Sequence, residues 1–305
     1  MEITVNGEAI TLDTASGGSV GEALARADEM LEQAGAVIVG LTVDGKELEA
    51  EAYPRIRDLP SSQVGVVAIA AEPIAAIKTK ALSTLLELLG LAKELSALET
   101  SPDWKALAEG ATEIAEAFSG LFSADELSFV EEFAALSTRA LESPEGEGGS
   151  RSPSREFRAQ MSAEADRLGL LFRERLAEIQ DPAGEMRKAA ALYAAETEEL
   201  GELPVLLQTG KDERAMKAVL VFIETFNKAI RVIPELKRSG VDVGALAVDG
   251  QALPDFYSSL NEVLRKLSTA FEDKDSVLIG DLAEYEVVPR MTSFFAAMEE
   301  ALKRT

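Results

Sequence analysis

The chain has 305 residues, with 54 acids against 30 bases for a net charge of −24, and it contains neither cysteine nor histidine. Disulfides, thiolate metal sites, cysteine nucleophiles, Ser–His–Asp triads and imidazole-ligated zinc or di-iron centres are thereby excluded. The acidity opposes binding to nucleic-acid phosphates and to anionic membrane surfaces, while a 47% apolar content is ample for a packed core.

An oxygen-only Mg²⁺ or Ca²⁺ site, or carboxylate or lysine chemistry, survives this filter. "MEITVNGEAITLD" lacks the basic-then-apolar order of a signal peptide. The longest apolar runs, such as Val66–Ala71, fall far short of the ~20 residues that cross a bilayer. The expectation is a cytoplasmic protein with no membrane insertion and no cofactor.

"ITVNGEAITLD" alternates apolar and polar residues about Asn6-Gly7, a dipeptide suited to the positive φ angles of a two-residue hairpin turn. Ser19 with Glu22 three residues on reads as a capping box for a helix. Its apolar stripe is Val20, Leu24, Ala27 and Leu31, and Gly35 stands ready to end it. "AVIVGLTV" predicts a buried strand closed by Asp44-Gly45, and an irregular stretch holding Pro54 and Pro60 leads to a last strand, "VGVVAIA".

That order of hairpin, helix, strand, irregular crossing and strand resembles the ubiquitin-like β-grasp fold, its sulfur-carrier branch in particular, over residues 1–72. The resemblance implies a free Gly-Gly tail after the last strand, and here the chain departs from it. "AIAAEPIAAIKTK" runs straight into a helix, which argues against carrier activity and for a docking or structural module. "SGGSVG" lacks the spacing of a dinucleotide loop and reads as a flexible loop. "LLQTGKDE" has Val205 and Asp212 where a phosphate loop requires Gly and Ser or Thr.

From Pro73 the period becomes helical. Ile74, Ile77, Leu82, Leu85 and Leu89 mark a long helix; "SPDWKALAEGATEIAEAF" opens a second near Ser101 or Asp103; "SADELSFVEEFAALSTRAL" predicts a third, capped by Ser123 with Glu126. Residues 142–156, "ESPEGEGGSRSPSRE", form a flexible linker by composition. Phe157, Met161, Leu168 and Phe172 begin the next amphipathic helix, and Asp181-Pro182 opens another. "KDERAMKAVLVFIETFNKAIRVI" is apolar around much of its circumference and is predicted to be the most buried helix. "VDVGALAVDGQAL" suggests a short hairpin before the last helices, whose apolar faces include Phe256, Leu260, Phe294 and Met298. Four turns place similar residues ahead of new helices, which suggests stacked helix hairpins.

The fold class is therefore α+β: a β-grasp domain at 1–72, a first helical segment at 73–141, the linker at 142–156, and a main helical bundle at 157–305. Within the bundle, "FEDKDSVLIGDLAEYEVVPRM" joins acids to aliphatics. Asp273 or Asp275 is placed to cap a helix whose apolar face is Val277, Leu278, Leu282, Tyr285 and Val288. Glu284 falls at the edge of that face, solvated. Asp281 and Glu286 fall within it and require a partner such as Arg290 or Lys266, or a ligand. Asp281, Glu284, Tyr285 and Glu286 are thus the candidate ligand or interaction residues. The leading expectation is a non-catalytic interaction or adaptor protein with a protein partner, self-association remaining open. The alternative is a divalent-metal or small-ligand binding protein, or an enzyme, using the carboxylates.

Overall fold

A computed structural model describes residues 1–11, 18–49 and 52–304. The chain is α+β and forms two compact units, Met1–Leu176 and Ala177–Thr305. In "SGGSVG", Ser16 and Gly17 lie outside the described residues.

The first unit opens with β1 (Glu2–Val5) and β2 (Glu8–Ile10), joined by Asn6 and Gly7 at φ 52° and 87°. Both signs are those the hairpin dipeptide was expected to supply. Asn6 has a second role: its side chain donates to the carbonyl of Ala71 and accepts from that residue's amide, each at 3.0 Å, and so locks the turn to a distant strand. Helix α1 (Val20–Gln33) carries the predicted capping box, with Ser19 Oγ accepting from the Glu22 amide and Glu22 accepting from the Ser19 amide. Strand β3 (Ala36–Val43) turns through Asp44 and Gly45, again with positive φ, into β4 (Lys46–Glu47), and a short helix, α2 (Tyr53–Arg57), comes next. The carboxylate of Asp44 then accepts from the amides of Gly65 and Val66 and fixes the start of β5 (Val66–Pro73).

The five strands order as β2-β1-β5-β3-β4, with β1 parallel to β5 and the other pairs antiparallel. Val20, Ala23, Leu24, Ala27 and Leu31 of α1 form one core with Ile3, Val67 and Ile69 of the sheet. Full burial of each large aliphatic there contributes about 1.5–3 kcal/mol. Strand β5 passes without a break into α3 (Ile74–Ala97), and the Ile74 amide bonds to the carbonyl of Gly35. The residues after the last strand are therefore tied into the fold rather than free.

Helices α4 (Trp104–Phe118), α5 (Ala124–Arg139) and α6 (Arg155–Gln180) follow. Trp104, Phe118, Phe133 and Phe172 are fully buried, and the rings of Phe118 and Phe172 meet edge to face at 5.8 Å. At α5 the predicted Ser123–Glu126 box forms, and Glu126 also meets Arg175 of α6 at 2.6 Å. Residues 142–156 lie inside this first unit. Arg151 exchanges two backbone hydrogen bonds with Ser101 and pairs with Glu145 at 2.7 Å.

In the second unit, α7 (Pro182–Gly201) is capped by Asp181, whose carboxylate accepts from the Gly184 amide. Then come α8 (Leu203–Gln208), α9 (Asp212–Arg238) and α10 (Leu253–Glu272). The hairpin β6 (Ala247–Val248) and β7 (Gln251–Ala252), turning through Asp249-Gly250, precedes α10 where the sequence suggests it. The chain ends with α11 (Ser276–Leu282), a π-helical turn (Ala283–Val287) and α12 (Val288–Lys303). The core joins Tyr193, Phe222, Phe256, Met291, Phe294 and Met298. Glu185, 3% exposed, is held between Lys188 at 2.6 Å and Lys228 at 2.5 Å.

Candidate functional site

Asp275 rather than Asp273 caps α11, accepting from the amides of Val277 and Leu278. Of the expected apolar face of this segment, Leu282 and Val288 pack on the core, but the rest is rotated outward. Val277, Leu278 and Tyr285 are 62%, 42% and 65% exposed, while Ile279, Gly280, Leu282, Ala283 and Val287 turn inward. Two features cause the rotation. Gly280 sits so close to Pro204 of α8 that a Cβ built on it would lie 2.2 Å from Pro204 Cγ, so only glycine permits this edge to face inward. The π turn then adds a residue to one helical repeat, which shifts the positions that follow around the axis.

The carboxylates sort accordingly. Asp281 and Glu284 are exposed; Asp281 therefore needs no buried partner, contrary to expectation. Glu286 is half-buried and finds Arg290, one turn on, which donates from Nη2 at 2.9 Å and from Nε at 3.2 Å. Arg290 also donates to Ser259 Oγ at 3.0 Å and so ties the π turn to α10. Hydrogen bonding to Glu284, with the nearby charge of Asp281, pushes the phenol of Tyr285 above its ordinary value. The four candidate residues thus stand on one short segment, but they do not converge. Among the described residues no three acidic side chains gather into a metal-ligand set.

A second feature was missed. Helix α9 is not buried around its circumference. Ala215, Ala218, Phe222, Phe226, Ala229 and Val232 face the core, but Met216, Leu220, Ile223 and Ile230 are 51%, 52%, 44% and 39% exposed. With the exposed Asn227 they run at spacings of four, three, four and three residues, the seam of a helix made to meet another helix. Beside them α9 and α10 stand apart around a 470 Å³ trough. Met216, Val219, Phe222 and Ile223 form one wall; Leu264, Leu267 and Phe271 form the other, with Ser268. A 510 Å³ hollow shares Met216 and Phe271 with it and reaches Ile279 at the start of α11.

The helices close together near Phe226 and Tyr257, whose rings lie 6.4 Å apart. The Tyr257 hydroxyl is buried without a hydrogen-bond partner among the described residues, and burial raises the phenol's pKa strongly. The signal for the trough was present in the excess apolar circumference of α9, which exceeds what the surrounding unit can cover.

Comparison with known proteins matches two separate stretches of the chain. Residues 1–71 match the family model of the TP0873 N-terminal domain, and residues 186–296, which hold both the trough and α11, match the model described as Domain of unknown function (DUF8042). An "Uncharacterized protein" of Treponema pallidum (strain Nichols) is 29% identical over 104 residues, which is 34% of this chain and 52% of that protein. The chain thus spans about half the length of that relative. No solved structure matches. Among the described residues no helix is long and apolar enough to cross a membrane.

Proposed function

We propose that this chain is a non-catalytic interaction protein whose second unit receives the apolar side chains of a partner in the trough between α9 and α10. The observation that carries the reading is the exposed seam of Met216, Leu220, Ile223 and Ile230 running beside an apolar-walled hollow. A contiguous apolar surface of this kind costs solubility in a chain that works alone and is characteristic of a site that another molecule covers. The helical spacing favours a partner that presents a helix, with anchors about one turn apart.

On this reading the N-terminal sheet is a β-grasp-like module that has given up carrier chemistry. A parallel β1–β5 pair, a helix packed on one face, and a last strand that runs into α3 support that part. The carboxylate-based alternative has less behind it: Arg290 holds Glu286, and Asp281 and Glu284 are exposed, Glu284 beside the Tyr285 hydroxyl.

The test is site-specific photo-cross-linking. A photoreactive residue in place of Leu220, in the full chain expressed in its native host, is expected to give one discrete adduct. Adding Ile223→Glu should abolish that adduct. No adduct, or one indifferent to Ile223→Glu, overturns the proposal.

A further inference from the structure

Helix α11 and its π turn present a second surface, made of residues the trough does not use. Val277, Leu278 and Tyr285 are all exposed on it, and Asp281 and Glu284 lie between them at intervals of three to four residues. These two carboxylates differ from their neighbours. Asp275 is engaged at the helix cap and Glu286 is held by Arg290, but among the described residues no lysine or arginine pairs with Asp281 or Glu284.

Three large apolar groups could be covered by many molecules; two unneutralised acids among them narrow the choice. Any occupant that takes the apolar groups out of water also desolvates the carboxylates, and it binds well only if it brings cations to them. A nucleic acid or an anionic bilayer supplies apolar or planar surface but the wrong charge. A second copy of this face would set acid against acid. The arrangement is that of a helix face whose natural complement is another helix with aliphatic anchors and lysine or arginine on either side of them.

We infer that the outward face of α11 and the π turn, comprising Val277, Leu278, Asp281, Glu284 and Tyr285, is a docking surface for a basic amphipathic helix of a partner protein. The inference goes beyond the trough, and the two sites fail or succeed separately.

The probe is a synthetic amphipathic peptide with leucines spaced three and four apart and lysines flanking them, titrated against the full chain by fluorescence anisotropy. Asp281→Lys with Glu284→Lys should weaken binding by at least about tenfold. Val277→Ser with Tyr285→Ser should also weaken it at unchanged charge. Glu113→Lys with Glu116→Lys, an equal charge change on exposed positions of α4, should leave affinity within about twofold of the wild type at physiological salt. If the α4 control weakens binding as much as the α11 pair, the attraction is merely that of a highly negative chain and the proposal fails. It fails equally if the apolar pair has no effect, if Ca²⁺ at stoichiometric concentration displaces the peptide, or if wild-type chains self-associate through this face. Ile223→Glu should leave peptide binding intact; loss there would assign the peptide to the trough instead and overturn the α11 assignment.

Discussion

Substituting Gly280 by alanine tests the packing that turns α11 outward. Glycine inside a helix is ordinarily a weakness, so alanine at an open position stabilises by about 0.5–1 kcal/mol. Gly90, in the interior of α3, is such a position: nothing lies within 4 Å of the Cβ it would gain. At Gly280 the added Cβ would meet Pro204 Cγ at 2.2 Å and Pro204 Cβ at 2.8 Å. Ordinary carbon contacts begin near 3.4 Å, so α8 and α11 must separate by roughly 1 Å. Overpacking of this kind costs about 1–3 kcal/mol, which exceeds the gain in helix propensity. The two substitutions should therefore move stability in opposite directions. At about 2–4 °C per kcal/mol, Gly90→Ala should raise Tm slightly and Gly280→Ala should lower it by several degrees. The assay is thermal unfolding by circular dichroism, supported by urea titration. A neutral or stabilising Gly280→Ala would refute the close approach of α8 and α11. The explanation for the exposure of Val277 and Leu278 would go with it.

Three other outcomes follow from the packing. Tyr257→Phe removes a buried hydroxyl with no partner among the described residues, so it should be neutral or stabilising by about 1 kcal/mol in urea unfolding; a clear loss would mean that the hydroxyl is bonded. Glu185→Gln should destabilise by about 1.5–3 kcal/mol, because the charge-assisted bonds from Lys228 at 2.5 Å and Lys188 at 2.6 Å lose their carboxylate; a change below about 0.5 kcal/mol would contradict that assignment. Desolvation opposes ionisation of Glu126 and Glu185, yet bonds to Ser123 and Arg175 in one case, and to Lys188 and Lys228 in the other, hold both below the ordinary value of 4.5. Their contribution is therefore complete above about pH 5 and is lost as pH falls through the depressed values. With no histidine or cysteine to titrate, stability should stay flat between about pH 6 and 8; a midpoint in that range by pH-dependent unfolding would contradict the reading.

What the sequence revealed was mostly local. Asn6-Gly7, Asp44-Gly45 and Asp249-Gly250 each specify a turn through the φ angles they tolerate, and all three turn as expected. Ser19 with Glu22 and Ser123 with Glu126 specify helix starts through bonds spanning three residues. The candidate site was legible in composition but not in orientation. Counting at 100° per residue placed Val277, Leu278 and Tyr285 inward because it could not register Pro204 pressing on Gly280, a contact 76 positions away in sequence, or the π turn that interrupts the count. Helix α9 failed for a related reason. Apolar residues all around a helix state that every side seeks cover, and which side obtains it depends on how many neighbours the unit supplies. Here Phe222 and Phe226 are covered, while Leu220 and Ile223 are left at the surface.

The most direct test of the central claim is the native mass of the full chain purified from its own host, wild type beside Ile223→Glu. Docking in the trough predicts that the wild type emerges in a defined complex with one stoichiometric partner. The variant, at unchanged Tm because Ile223 is 44% exposed, should emerge alone. Two chains that both run as free protein, or a complex that survives the buried charge, would contradict it.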